Sequence, residues 1–160
     1  MTDFTNIVAQ YDYSIEENEG YKKQIAEIAK EKTIQLKKAL LEHSEQINGH
    51  NVVRINESRD LVMLRDAATM LQKEARNLVI AAAFESAGKP QLLLMYSQDL
   101  VEAGKNAGAD IREAAKLIQG GGGGQPGLAT AGGKDKVIAQ KIIIKIIVVL
   151  QRFVMQLNYR

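Results

Sequence analysis

The chain has 160 residues, 46% apolar and 25% charged, with a formal net charge of +2 and no cysteine. There is enough apolar material for one domain and one core, while disulfides and thiolate metal sites are excluded. The near balance of charge also excludes the strongly basic composition of an independent nucleic-acid binder.

The charge is unevenly placed. Residues 134–160 hold six Lys/Arg and one Asp, a net +5; residues 1–133 hold 15 basic and 18 acidic groups, a net −3. The first residues, MTDFTNIVAQYDYS, are polar and lack the basic-then-apolar order of a signal peptide, so a cytoplasmic location is expected. Residues 1–13 read as a loose lead-in. From Ser14, a candidate N-cap with Glu16 and Glu17 in the first turn, the pattern is helical to about Gln46. Its apolar stripe, Tyr21, Ile25, Ile28, Ala29, Leu36 and Leu40, is narrow, which suits a coiled-coil-like arm better than a core helix. Gly20 weakens helix by ~1 kcal/mol relative to Ala, so the start could lie after it. INGHN (47–51) then reads as a stop and turn.

A strand follows at Val52–Ile55, then a helix capped at Ser58 with Leu61, Leu64, Ala68, Leu71 and Ala75 spaced three and four apart. NLVIAAAFE and QLLLMYS are apolar enough for strands buried on both faces. The short turn at Ser86–Pro90 makes them an antiparallel hairpin. A helix interrupted near Gly104 and Gly108 runs from Gln98 to Gln119, with Asp110 near the start of its firm part. Gly127–Ala131 is a short last strand.

This order describes an α+β protein, with a helical arm followed by a globular mixed β-sheet covered by helices and carrying a Gly-rich loop. The boundaries are lead-in 1–13, arm 14–47, globular α/β subdomain 48–135 and an apolar, basic tail 136–160.

Enzyme constellations are scarce. His43 and His50 stand without ligand-spaced carboxylates and read as exposed surface residues, and no metal site is expected. No Lys-Ser/Thr pair follows the five glycines Gly120–Gly124, so they form no P-loop. No strand leads directly into them as a dinucleotide fingerprint requires. Asp60, Asp66, Glu74 and Glu113 read as members of solvated helix faces. Two readings of the glycine run compete: a slack linker, or a loop with Gly as the αL helix cap, whose bare amides lie against an anion or nucleic-acid backbone.

The segment DLVEAGKNAGADIREAAKLIQGGGGGQPGLATAGGKD, Asp99–Asp135, resembles the C-terminal domain of the alanyl-tRNA synthetase family, including its related DHHA1-like subdomain. The shared pattern is Asp99-Leu100-Val101, Asn106-Ala107-Gly108, a helix, Gly120–Gly124, Pro126 and Ala131-Gly132-Gly133-Lys134-Asp135. With the charged arm and INGHNVVRI, the resemblance covers about residues 15–135. The related module of DHH phosphodiesterases typically has a shorter Gly run followed by His; here Gln125-Pro126 follows.

The resemblance implies a tRNA-binding and assembly domain that contacts the outer corner of tRNA and assists aminoacylation and editing by upstream domains. It further implies a segment without catalysis of its own, with ATP and zinc belonging to those upstream domains and no cofactor here. The implied partners are tRNA, alanine-specific in the parent enzyme, the upstream catalytic and editing domains, and a second copy through residues 14–47; no membrane is implied. The alternatives are the nucleic-acid-gripping domain of a DHH-type phosphodiesterase and a non-catalytic helical interaction protein.

The expected RNA-binding residues are Lys105, Asn106, Lys116, Gly120, Gly121, Gly122, Gly123, Gly124, Gln125 and Lys134. Replacing Gly122 and Gly123 by Val is expected to weaken RNA binding and leave stability nearly unchanged. The tail departs from the family pattern. It is too charged for a comfortable membrane span; a strand or helix packed on the core is the favoured reading, with a basic membrane-surface helix and a non-native reading frame as the alternatives.

Overall fold

The computed structural model describes residues 4–47, 49–57 and 60–134; the expected packing of the 136–160 tail lies outside them. Helix α1 spans Phe4–Glu42. It therefore starts ten residues before the expected Ser14, and the lead-in is helical from Phe4 on. Ser14 is not a cap, because its hydroxyl donates to the Gln10 carbonyl one turn back, at 2.8 Å. Phe4, Ile7, Val8, Tyr11 and Ile15 extend the three-and-four spacing to the N-terminal side, and the helix runs through Gly20.

Most of α1 is exposed. Only its last turns are anchored: Thr33 and Leu40 are buried, and Lys37 pairs with Glu74 at 2.6 Å. The arm does not reach residue 47. Strand β1 (Glu45–Ile47) pairs antiparallel with β2 (His50–Ile55), and Gly49 has φ 83° in the turn between them. Polar EQI gives no strand signal alone. Its partners are cross-strand: Glu45 pairs with Arg54 and Gln46 with Asn51.

Helix α2 (Leu61–Glu74) crosses from β2 to the parallel β3 (Leu78–Ser86). The expected cap Ser58 lies outside the described residues. Asp60 is the cap: its Oδ1 accepts from the Val62 and Met63 amides at 2.8 and 3.2 Å. Asp60 therefore does not belong to a solvated helix face. Strand β4 (Lys89–Tyr96) returns antiparallel through a two-residue turn. Ala87 and Gly88 have φ 50° and 72°, the left-handed geometry that matches strand twist.

The interrupted helix resolves into α3 (Gln98–Glu102) and α4 (Ala107–Leu117). Gly104, at φ 97°, lies in the break. Gly108 does not interrupt the helix, being a buried residue of α4's first turn.

The chain ends its described part with β5 (Gly121–Gly124) and β6 (Leu128–Gly132), paired antiparallel. The glycines are therefore neither slack linker nor irregular loop. The sheet order is β1-β2-β3-β4-β6-β5, which makes the glycine strand an edge.

Two apolar clusters flank the sheet. Val79, Ala81 and Ala83 of β3 face α3 and α4 with Ile111, Ala114 and Ala115. Leu78, Ile80, Ala82 and Phe84 face α2 and the end of α1 with Leu40, Leu64, Ala68 and Leu71. Burial of both faces explains the near-continuous apolar run of β3. No helix among the described residues is long and apolar enough to cross a membrane.

Candidate nucleic-acid interface

Spacing accounts for every other glycine along this edge. A Cβ on Gly122 would stand 2.5 Å from the Thr130 carbonyl oxygen and 2.6 Å from Ala131 Cα. One on Gly124 would stand 2.5 Å from the Leu128 carbonyl oxygen, and one on Gly120 2.7 Å from Gly133 Cα. Gly121 opens onto free space, and a Cβ on Gly123 would meet only the Arg112 guanidinium at 3.6 Å. Alternate glycines therefore admit the close approach of β6, while the two between them carry no such constraint. Helix α4 adds a third contact: a Cβ on Gly108 would lie 2.7 Å from the Gly124 carbonyl oxygen.

Both ends of the strand are fastened. At α4's end the αL position is taken by Gln119 (φ 48°), not by a glycine as expected. The Gly120 amide donates to the Ala115 carbonyl at 3.0 Å and the Gln119 amide to Lys116 at 3.3 Å, a Schellman closure. Gly120 is instead committed to the contact with Gly133. At the other end, Gln125–Leu128 is a turn closed by the Gln125 amide on the Leu128 carbonyl at 3.0 Å. Its Pro126 carbonyl accepts from the Ala107 amide at 2.8 Å and its Gly127 carbonyl from the Tyr96 amide at 2.9 Å.

The sequence-derived residues fall into two groups along this edge. Lys105, Asn106 and Gln125 gather at the Gly124 end, tied together by the Ala107–Pro126 hydrogen bond. Asn106 is exposed, but its side chain already accepts from the Ala109 amide at 3.0 Å as the cap of α4. Lys116 and Lys134 stand at the Gly120 end and are exposed. Lys116 pairs with Glu113 at 2.7 Å, so Lys134 is the freer cation there.

Four residues were missed. Arg65, Thr69 and Gln72 recur at four and three along α2, and with Gly123, Gly124, Gln125, Leu128, Ala129 and Thr130 they line an open cleft of about 300 Å³. Arg112 of α4 reaches the same strand beside Gly123. Arg65 and Arg112 are exposed and make no ion pair among the described residues. The i, i+4, i+7 polar stripe of α2 is visible in the sequence, but its neighbour is not. Exposed edge-strand groups, the Arg65 guanidinium and the Gln72 amide give this cleft donors suited to phosphate oxygens and base edges, and Arg112 adds a second guanidinium on the other side of the strand.

The other titratable groups are structural. Burial pushes the Tyr96 hydroxyl well above the usual phenol range, and its hydrogen bond to Asp110 at 2.7 Å adds to this. Burial pushes the Asp99 carboxyl up, but hydrogen bonds from Ser97 and from the backbone of Asn77, Asp99 and Leu100 outweigh it. The net effect holds Asp99 below the usual carboxylate range. His50 is half-buried rather than exposed and bonds Asn77; His43 is exposed and meets the Ala39 carbonyl at 2.7 Å. Glu74 and Glu113 remain exposed but hold Lys37 and Lys116.

A sheet with α2 on one face, α3 and α4 on the other, and a glycine edge strand defines the class: the chain belongs to the DHHA1 domain family, which matches residues 48–153. Its relatives are alanine–tRNA ligases. It is 45% identical over 122 residues to the ligase of Bacteroides thetaiotaomicron, covering 76% of this chain. It is 38% identical over 136 residues to that of Parabacteroides distasonis, covering 84%. The chain spans only 14% and 16% of those proteins' lengths.

Among solved structures, it is similar to the C-Ala domain of Aquifex aeolicus alanyl-tRNA synthetase, with a TM-score of 0.57 and 26% identity. That match covers 68% of this chain and 95% of the other. A DHH-domain member of the s1p family of ribosomal proteins shares the fold alone, at 14% identity and a TM-score of 0.55, over 82% of this chain and 32% of that one.

Proposed function

We propose that this chain is the tRNA-binding and assembly part of an alanine–tRNA ligase, working in the cytoplasm beside catalytic and editing domains supplied elsewhere. It does not itself charge tRNA. The observation that carries the reading is the exposed all-glycine edge strand bordered by Arg65 on one face of the sheet and Arg112 on the other. A strand without side chains lets RNA approach the backbone, and the flanking guanidinium groups hold phosphates without reading sequence.

The cations at this edge are few: Arg65, Arg112, Lys105 and Lys134. At about 0.7–0.9 per neutralised phosphate, they give a slope of log K against log salt of about −3. A broad positive field is not available to a segment whose first 133 residues carry a net −3. Shape complementarity to the folded corner of tRNA then supplies the remaining discrimination.

The test is a filter-binding titration with folded tRNA and an unstructured RNA of equal length. Arg65→Gln/Arg112→Gln should weaken tRNA binding at least tenfold with the melting temperature unchanged. A second variant with Lys136, Lys141 and Lys145 changed to Gln controls for the basic tail. If the arginine variant binds as the parent does and the tail variant alone loses binding, the edge is not the RNA site.

A further inference from the structure

Gly127 is buried, yet its φ is not positive, so the backbone of the turn does not demand glycine there. A side chain demands it. A Cβ on Gly127 would collide with Gln72 Nε2 and lie 2.6 Å from Gln72 Cδ, and the three atoms nearest to it all belong to Gln72. The Gln72 carboxamide, carried on the last turn of α2, therefore rests on the bare Cα of the turn before β6. Placed there it is half-buried, and it neither donates nor accepts a hydrogen bond among the described residues. A partly desolvated amide left unpaired is unfavourable, so a glycine is spent on holding a polar group that has no partner of its own.

The surroundings define what completes it. Gln72 lines the open cleft of about 300 Å³, to which Leu128 and Ala129 contribute apolar surface. That volume lies at the low end for small-ligand sites. The Thr69 hydroxyl in the same cleft is already committed, donating to the Arg65 carbonyl at 2.7 Å. The exposed Arg65 guanidinium is the cleft's cation. One carboxamide beside apolar surface suits a flat group that carries a donor and an acceptor side by side on its edge.

We propose that the cleft takes one unpaired adenine of the bound RNA and that Gln72 reads it. Oε1 accepts from the adenine amino group while Nε2 donates to the adjacent ring nitrogen, the pairing a Gln side chain makes in two-point contact with adenine. Arg65 holds the neighbouring phosphate. RNA exposes such base edges where its nucleotides are unpaired. The assignment rests on the RNA-binding reading above and adds base readout to an edge that otherwise holds phosphates.

Four RNAs of sequence UUXUU, with X as A, C, G or U, test this by fluorescence anisotropy on the full chain. The parent should bind UUAUU at least about fivefold more tightly than the other three. Gln72→Met keeps the length of the side chain and its packing on Gly127 but cannot pair. It should bring the four affinities within about twofold, with the melting temperature unchanged. Gly127→Ala, whose methyl group displaces the carboxamide, should flatten the preference as well, and Gln72→Ala/Gly127→Ala should melt as Gln72→Ala does. The basic tail meets all four RNAs alike and cannot create a preference. A parent that binds all four equally, or a preference that survives in Gln72→Met, overturns the proposal. If Arg65→Gln/Arg112→Gln still loses tRNA, that result removes the adenine reader alone; if that variant binds tRNA as the parent does, the RNA edge and the reader fall together.

Discussion

Gly121 and Gly122 are adjacent, equally plain in sequence, and opposite in consequence. A methyl group on Gly122 must push aside backbone, because its Cβ would lie 2.5 Å from the Thr130 oxygen and 2.6 Å from Ala131 Cα. Contacts under 3 Å are not sustained, so β5 and β6 must part locally by roughly half an ångström or more, with their hydrogen bonds stretched. Overpacking of this kind costs about 1–3 kcal/mol. For a globular part of this size each kcal/mol moves the melting temperature by about 4–8 °C, so Gly122→Ala should melt roughly 5–20 °C below the parent.

Gly121 has no atom within 4 Å of the added Cβ and no positive φ. Gly121→Ala removes conformational freedom from the unfolded chain and should melt at or slightly above the parent, by up to about 1 kcal/mol. Circular dichroism melts of the two single variants decide it. Equal melting temperatures would mean that β5 is not held against β6 as described. The Val substitution at Gly122 expected from sequence to be neutral is therefore a destabilising one, and only positions 121 and 123 can separate binding from folding.

Asp60→Ala removes the acceptor for two α2 amides and should destabilise by about 1 kcal/mol, measured by urea denaturation, with Asp60→Ser restoring most of it. Asp99 has a depressed carboxyl. Its contribution is therefore present above the unfolded-state value near pH 4 and is lost as pH falls through the lower folded one. Asp99→Asn should be less stable than the parent at pH 7, and the gap should close on acidification; a pH-independent gap would refute the assignment. Tyr96→Phe leaves Asp110 without its buried donor and should lower stability by about 1–2 kcal/mol with tRNA affinity unchanged. Arg112→Gln alone should make the salt slope shallower by about 0.7–0.9.

Much of the fold was legible because local pattern and burial agree. The period of α2, the doubly buried runs of β3 and β4, and their short turn each specify an element with little help from elsewhere. The α+β class and the family resemblance followed from those elements and from the Gly run with its flanks.

Other features depend on what comes to lie alongside. EQI is a strand because it pairs with β2, where Asn51 stands opposite Gln46 and the Arg54 side chain reaches Glu45. Ser14 sits inside a helix because apolar residues on its N-terminal side continue the stripe. Asp60 is the cap of α2 because the first free amides of that helix lie over its carboxylate.

The glycine run shows the division most clearly. Composition leaves it as linker or loop, since glycine specifies no backbone conformation by itself. Pairing with β6 makes it a strand, the approach of Thr130 and Ala131 decides which glycines cannot be replaced, and the packing of α2 and α4 on opposite faces brings Arg65 and Arg112 to its two sides. Arg65 and Gly123, 58 positions apart in the chain, line the same cleft there, and only tertiary packing can set such distances.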